Sequence, residues 1–88
     1  MIEWTEQAVR QLDQARDYIA LSNSEAVAEK ITMQIVSGVQ QLATFPNSGR
    51  AGRIRGTREL LISNTPFIAA YALAAGKIVV LAIYHGAQ

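Results

Sequence analysis

Few side chains in this sequence can do chemistry, and most of them stand in one run. Gly49-Arg50-Ala51-Gly52-Arg53-Ile54-Arg55-Gly56-Thr57-Arg58-Glu59-Leu60 alternates four arginines with three glycines and leads into apolar sequence. Arginine is a planar fork of donors that stays charged at any cellular pH, so it suits phosphate and carboxylate recognition. Glycine lets the backbone turn sharply and approach a partner closely. A charge run is usually a solvated loop. Here the balancing acids lie elsewhere: Glu3, Glu6, Asp13, Asp17, Glu25 and Glu29 precede the run, against only Arg10, Arg16 and Lys30. The formal net charge of +1 therefore hides a dipolar molecule, and its basic patch predicts an acidic partner. His85 is the only histidine and the obvious acid–base group, with Tyr84 beside it and Glu59 as a possible assistant.

Other chemistries are poorly supplied. With no cysteine and one histidine, a zinc site of standard composition cannot be built, and no disulfide can staple the fold. No serine stands in a nucleophile-elbow context. The glycines at 49, 52 and 56 lack a preceding strand, a Lys-Ser/Thr pair and a following helix, so they do not form a nucleotide-binding loop. No cofactor is expected. The start, Met1-Ile2-Glu3-Trp4, lacks the basic opening and apolar run of a signal peptide. No segment approaches the roughly 18 apolar residues of a membrane span. The expectation is a soluble, cytoplasmic protein.

The elements that must hold these groups follow from periodicity. At 88 residues the chain is expected to be one domain, 1–88, with a core that is only marginally large. Met1–Trp4 is a short strand, and Thr5 an N-cap with Glu6 in the first turn. Ala8, Leu12, Ala15 and Ile19 form one helical stripe, flanked by Val9 and Tyr18. Ser22-Asn23-Ser24 breaks the helix, and Ser22 with Glu25 has capping-box spacing for the next. Ala28, Ile31, Ile35, Val39 and Leu42 stripe the second helix, which ends before Pro46. The pair is an antiparallel helical hairpin. Asn47–Gly56 is a turn-rich basic segment. Arg58–Ile62, Phe67–Leu73 and Lys77–His85 then read as antiparallel strands, although the alanines of 68–75 favour helix. The fold class is α+β: a small antiparallel sheet packed against the hairpin, in the order β-α-α-β-β-β.

Leu42-Ala43-Thr44-Phe45-Pro46-Asn47-Ser48-Gly49-Arg50, then Gly52-Arg53 and Gly56-Thr57-Arg58-Glu59-Leu60, resembles the RelE/ParE superfamily of toxins from type II toxin–antitoxin modules. Pro66-Phe67-Ile68-Ala69-Ala70-Tyr71 and Ile83-Tyr84-His85-Gly86-Ala87 fall at corresponding places, as does the opening Ile2-Glu3-Trp4-Thr5. The resemblance implies a growth-inhibiting toxin of a plasmid-stabilisation or addiction module, bound tightly by a cognate antitoxin. It implies one of two activities. ParE-like members poison DNA gyrase by binding. RelE-like members cut messenger RNA on the ribosome, using basic residues and often a terminal His or Tyr.

Cleavage by 2′-hydroxyl attack needs a proton acceptor, a proton donor and positive charge on the phosphate. His85 and Tyr84 are the catalytic candidates if the chain is a nuclease. Ribonuclease members usually carry an arginine on the middle strand, where this chain has Ile68-Ala69-Ala70-Tyr71. Ala72 and Ala82 also stand where charged residues are common. The gyrase-binding reading is therefore favoured, with the nuclease and an attenuated toxin kept as an antitoxin-binding module as alternatives. His85 is then a strand-end histidine that satisfies a local hydrogen bond. Arg50, Arg53, Arg55 and Arg58 are the candidates for target or antitoxin binding. Arg58, at the start of a strand, is expected to pair with Glu59 or a helix acid. The chain stops at Gln88, where relatives often continue with a tryptophan-proline pair, and a shortened tail would weaken toxicity.

Overall fold

The computed structural model describes residues 1–87; the tail at Gln88 lies outside them. The elements are β1 (Ile2–Trp4), α1 (Glu6–Ser22), α2 (Glu25–Gln40), a single 3₁₀ turn (Gln41–Ala43), β2 (Arg50–Ala51), β3 (Thr57–Leu61), β4 (Phe67–Ala74) and β5 (Lys77–His85). Thr5 caps α1 by accepting from the Ala8 N–H at 3.1 Å. The second cap is Ser24, not Ser22: its Oγ accepts from the Val27 N–H at 3.1 Å. Ser22 is still helical and donates to the Tyr18 carbonyl at 2.8 Å. Asn23 closes α1, so a cap for α2 can only follow it.

The two helical stripes meet one face of the sheet. Ala8, Ile35 and Val39 pack with Ile62, Phe67, Ala69, Val80 and Ile83, and Trp4, Leu12, Ala15, Ile19 and Ile31 close the cluster. Ala28 and Leu42 are fully buried as well. The α+β layering stands as read, with two additions to the sheet. Its strand order is β1-β5-β4-β3-β2. The central strands form the antiparallel meander, whereas β1 pairs parallel with β5, Ile2 opposite Ile78 and Trp4 opposite Val80. A chain that leaves β1 through two helices returns by a long path, which permits parallel pairing. The other edge is two residues of the basic segment, Arg50 and Ala51, paired with Glu59 and Arg58.

β4 is a strand despite its alanines. Its neighbours on both sides supply the ladder, and tertiary pairing overrides a weak propensity. It joins β5 through Ala75 and Gly76, at φ 50° and 78°, a two-residue hairpin whose twist suits the strands. Ala70 pairs with Ala82 but Tyr71 with Val80, so Leu81 is an extra residue in β5. This bulge keeps Ile78, Val80 and Ile83 toward the helices and turns Tyr84 to the other side.

Candidate binding face

The face of the sheet away from the helices carries a polar cluster over a floor of alanine. Arg50, Glu59, Ala70 and Ala82 form one cross-strand row, and Ala72 lies in the next. Glu59 is the only buried charged residue among those described, its side chain 9% exposed. Its Oε1 is 3.3 Å from Arg50 Nη2, and its Oε2 accepts from the Arg53 backbone N–H at 3.4 Å. Tyr84, re-aimed by the bulge, stands near enough to the same carboxylate to act on its charge. Burial pushes the Glu59 carboxyl up, but the Arg53 N–H, the Arg50 guanidinium and the Tyr84 hydroxyl together hold it below its ordinary value. Tyr84 is shifted up by burial and by the Glu59 charge, against the pull of Arg53 and Arg50.

The loop before β2 is held by two side chains from the opposite face. The fully buried Tyr71 accepts at its hydroxyl from the Gly49 N–H at 3.0 Å and donates to the Pro46 carbonyl at 2.8 Å. Arg58, its cross-strand neighbour, donates from Nη1 to the Gly49 carbonyl at 2.7 Å and to the Asn47 carbonyl at 3.3 Å. Arg58 therefore pairs with neither Glu59 nor a helix acid: strand alternation puts Glu59 on the other face, and loop carbonyls are nearer. Gly49 is required here, since a Cβ would lie 2.7 Å from the Tyr71 ring and 3.0 Å from the Glu59 carbonyl.

The four arginines thus separate. Arg58 braces the loop, Arg50 is held by Glu59, and Arg53 and Arg55 are exposed, Arg55 with no hydrogen bond or ion pair among the described residues. His85 joins none of them. It faces the helices, its ring edge-on to Phe67 with centroids 5.6 Å apart, and its Nδ1 accepts from the Ala87 N–H at 3.1 Å. Tyr84 and His85 are adjacent in sequence and on opposite faces of β5. The cluster at Glu59 and the brace at Tyr71 escaped sequence reasoning. The signal was present only as two residues, an acid and a tyrosine inside apolar strand sequence.

A groove of about 470 Å³ runs between α2 and the outer edge of β3, lined by Lys30, Met33, Gln34 and Leu61 among others. Met33 and Leu61 are 61% and 57% exposed in it. No helix among the described residues is long and apolar enough to cross a membrane.

Comparison with known proteins accounts for this architecture. The chain is 37% identical over 87 residues to "Putative toxin Y4kP" of Sinorhizobium fredii (strain NBRC 101917 / NGR234), covering 99% of this chain and 88% of that one. It superposes with TM-score 0.88 on a structure titled as the chromosomal ParDE TA system of P. aeruginosa, at 27% identity, over 96% of this chain and 92% of the other. The isolated RelE toxin of E. coli shares the fold alone, with TM-score 0.62 at 9% identity over 100% of this chain and 85% of that one. The model of the family described as "ParE toxin of type II toxin-antitoxin system, parDE" matches residues 2–88, and the chain belongs to that family of toxins.

Proposed function

We propose that this toxin inhibits growth by binding DNA gyrase, in the cytoplasm, and that a cognate antitoxin silences it. The observation that carries the reading is the separation of the chemical groups. His85 stands on the helix side, while Arg50, Arg53 and Tyr84 stand on the open face above Ala70, Ala72 and Ala82. A nuclease needs a free base and free cations around one phosphate; here the imidazole is on the far face, and the Glu59 carboxylate is already engaged by Arg50 and the Arg53 N–H. Losing one positioned donor typically costs about 100- to 1,000-fold in rate. Arg53, Arg55 and the outward donors of Arg50 are the contacts expected to hold an acidic protein surface. The α2–β3 groove, apolar at Met33 and Leu61 and bounded by a sheet edge, fits helix-in-groove or strand-addition docking of the antitoxin.

Supercoiling by purified gyrase with and without the protein, paired with mapping of new 5′ ends on ribosome-bound mRNA, tests the target. Inhibited supercoiling with unchanged mRNA is expected, and Arg53→Ala with Arg55→Ala should relieve the inhibition while shifting stability by no more than about 0.5 kcal/mol each. Codon-phased cleavage that vanishes in His85→Ala, with supercoiling untouched, would replace gyrase by mRNA.

A further inference from the structure

The buried carboxylate of Glu59 has a specific position. It lies in the row that runs from Arg50 across β3, β4 and β5 to Ala82. Neighbouring strands are about 4.8 Å apart, so anything laid on Ala70 or Ala82 passes within one or two strand spacings of it. One Arg50 nitrogen is already engaged by Glu59 at 3.3 Å, so a phosphate on this arginine meets a guanidinium whose charge is offset by an adjacent carboxylate. The Arg53 N–H on the other oxygen is likewise spent. Arg53, whose N–H reaches that carboxylate, stands beside an anion instead of a third cation.

We propose that Glu59 is a specificity-determining residue: a built-in counter-ion that occupies Arg50 and turns nucleic-acid backbones away from the open face. This deepens the proposed function and rests on its assignment of the open face as a binding surface. A protein partner tolerates the site, because it meets single charges with single groups and can place an apolar or donor group over the carboxylate. A strand of regularly spaced phosphates cannot avoid it. The lowered proton affinity of Glu59 keeps it charged at cellular pH.

Anisotropy of a fluorescein-labelled oligouridylate, titrated with the purified full chain from about 50 to 200 mM salt, measures this. The salt slope counts neutralised phosphates, at about 0.7 per contact for single strands. Glu59→Gln should bind tighter by on the order of tenfold at the low-salt end, with a slope steeper by about 0.7 as Arg50 is released. Adding Arg50→Ala to it should return the slope to that of the parent. With Glu59 in place, Arg55→Ala should make the slope shallower by about 0.7 and Arg50→Ala should not change it. A natively folded Glu59→Gln with no gain overturns the proposal. So does Arg50→Ala lowering the slope as much as Arg55→Ala, a comparison that needs no change at Glu59. Absent gyrase inhibition by the unmodified chain would sink the target reading and leave this result standing.

Discussion

The two faces of this sheet are made by the same strands and are held by different physics. Toward the helices, Phe67, Ala69, Val80 and Ile83 pack against Ala8, Ile35 and Val39, and the hydroxyl of the fully buried Tyr71 has both a donor and an acceptor. Away from the helices, small alanines leave room for a buried carboxylate that takes the Arg50 guanidinium and the Arg53 backbone N–H, with Tyr84 near by. The difference shows where this chain can change. The helix side fixes the basic loop from behind, and the open side decides what the loop can meet.

The sharpest break in that comparison is at Tyr71. Tyr71→Phe keeps the ring and removes the hydroxyl, stranding the Gly49 N–H and the Pro46 carbonyl. Leaving a buried polar group unmatched costs about 1–3 kcal/mol, and urea unfolding should show a loss of roughly 2 kcal/mol. A loss below about 0.5 kcal/mol would mean that the loop is not held from the helix side.

Acid should act on the other face. The folded Glu59 carboxyl is held below its ordinary value of 4.5, so its contribution is fully present above that value. It is lost as pH falls through the lower, folded value. Stability measured against pH should decline in that acid window, and Glu59→Gln should flatten the decline, its loss relative to the parent being largest at neutral pH and vanishing in acid. An identical acid limb in both proteins would remove Glu59 from the cause.

The smallest effect is expected at the hinge between β4 and β5. Ala75 sits at φ 50° before Gly76, a left-handed conformation that costs an ordinary residue about 1 kcal/mol. Ala75→Asn makes the favoured Asn-Gly turn and should raise stability by about 0.5 kcal/mol in thermal unfolding, with both faces unchanged. Destabilisation instead would show that the turn is not the two-residue hairpin described.

Helices and the meander were legible because their signals are local and repeated: the stripe from Ala8 to Ile19, the stripe from Ala28 to Leu42, and the turns at Asn64 and Gly76. Pairings set by distant residues were not. Arg50–Ala51 is too short to show a period, and the parallel partner of β1 lies more than 70 residues away. Ser22 and Ser24 are both adequate caps, and only the end of α1 chooses between them. The arginine run was legible as a basic patch but not as separate parts. Arg58 braces a loop because Tyr71 stands opposite it, which no spacing within the run encodes.

The extra residue at Leu81 gives the end of the chain a parity. Everything before it on β5 is counted from Ile78 in twos, and everything after it is counted from Ile83, whose N–H donates to Gln11 Oε1 at 2.8 Å. Were Leu81 taken into the regular ladder instead of bulging from it, β5 would be counted in twos throughout, sending Tyr84 toward the helices and His85 out toward Glu59. The identity of the group that meets Glu59 is thus written less in Tyr84 or His85 than in whether Leu81 stands inside or outside the ladder.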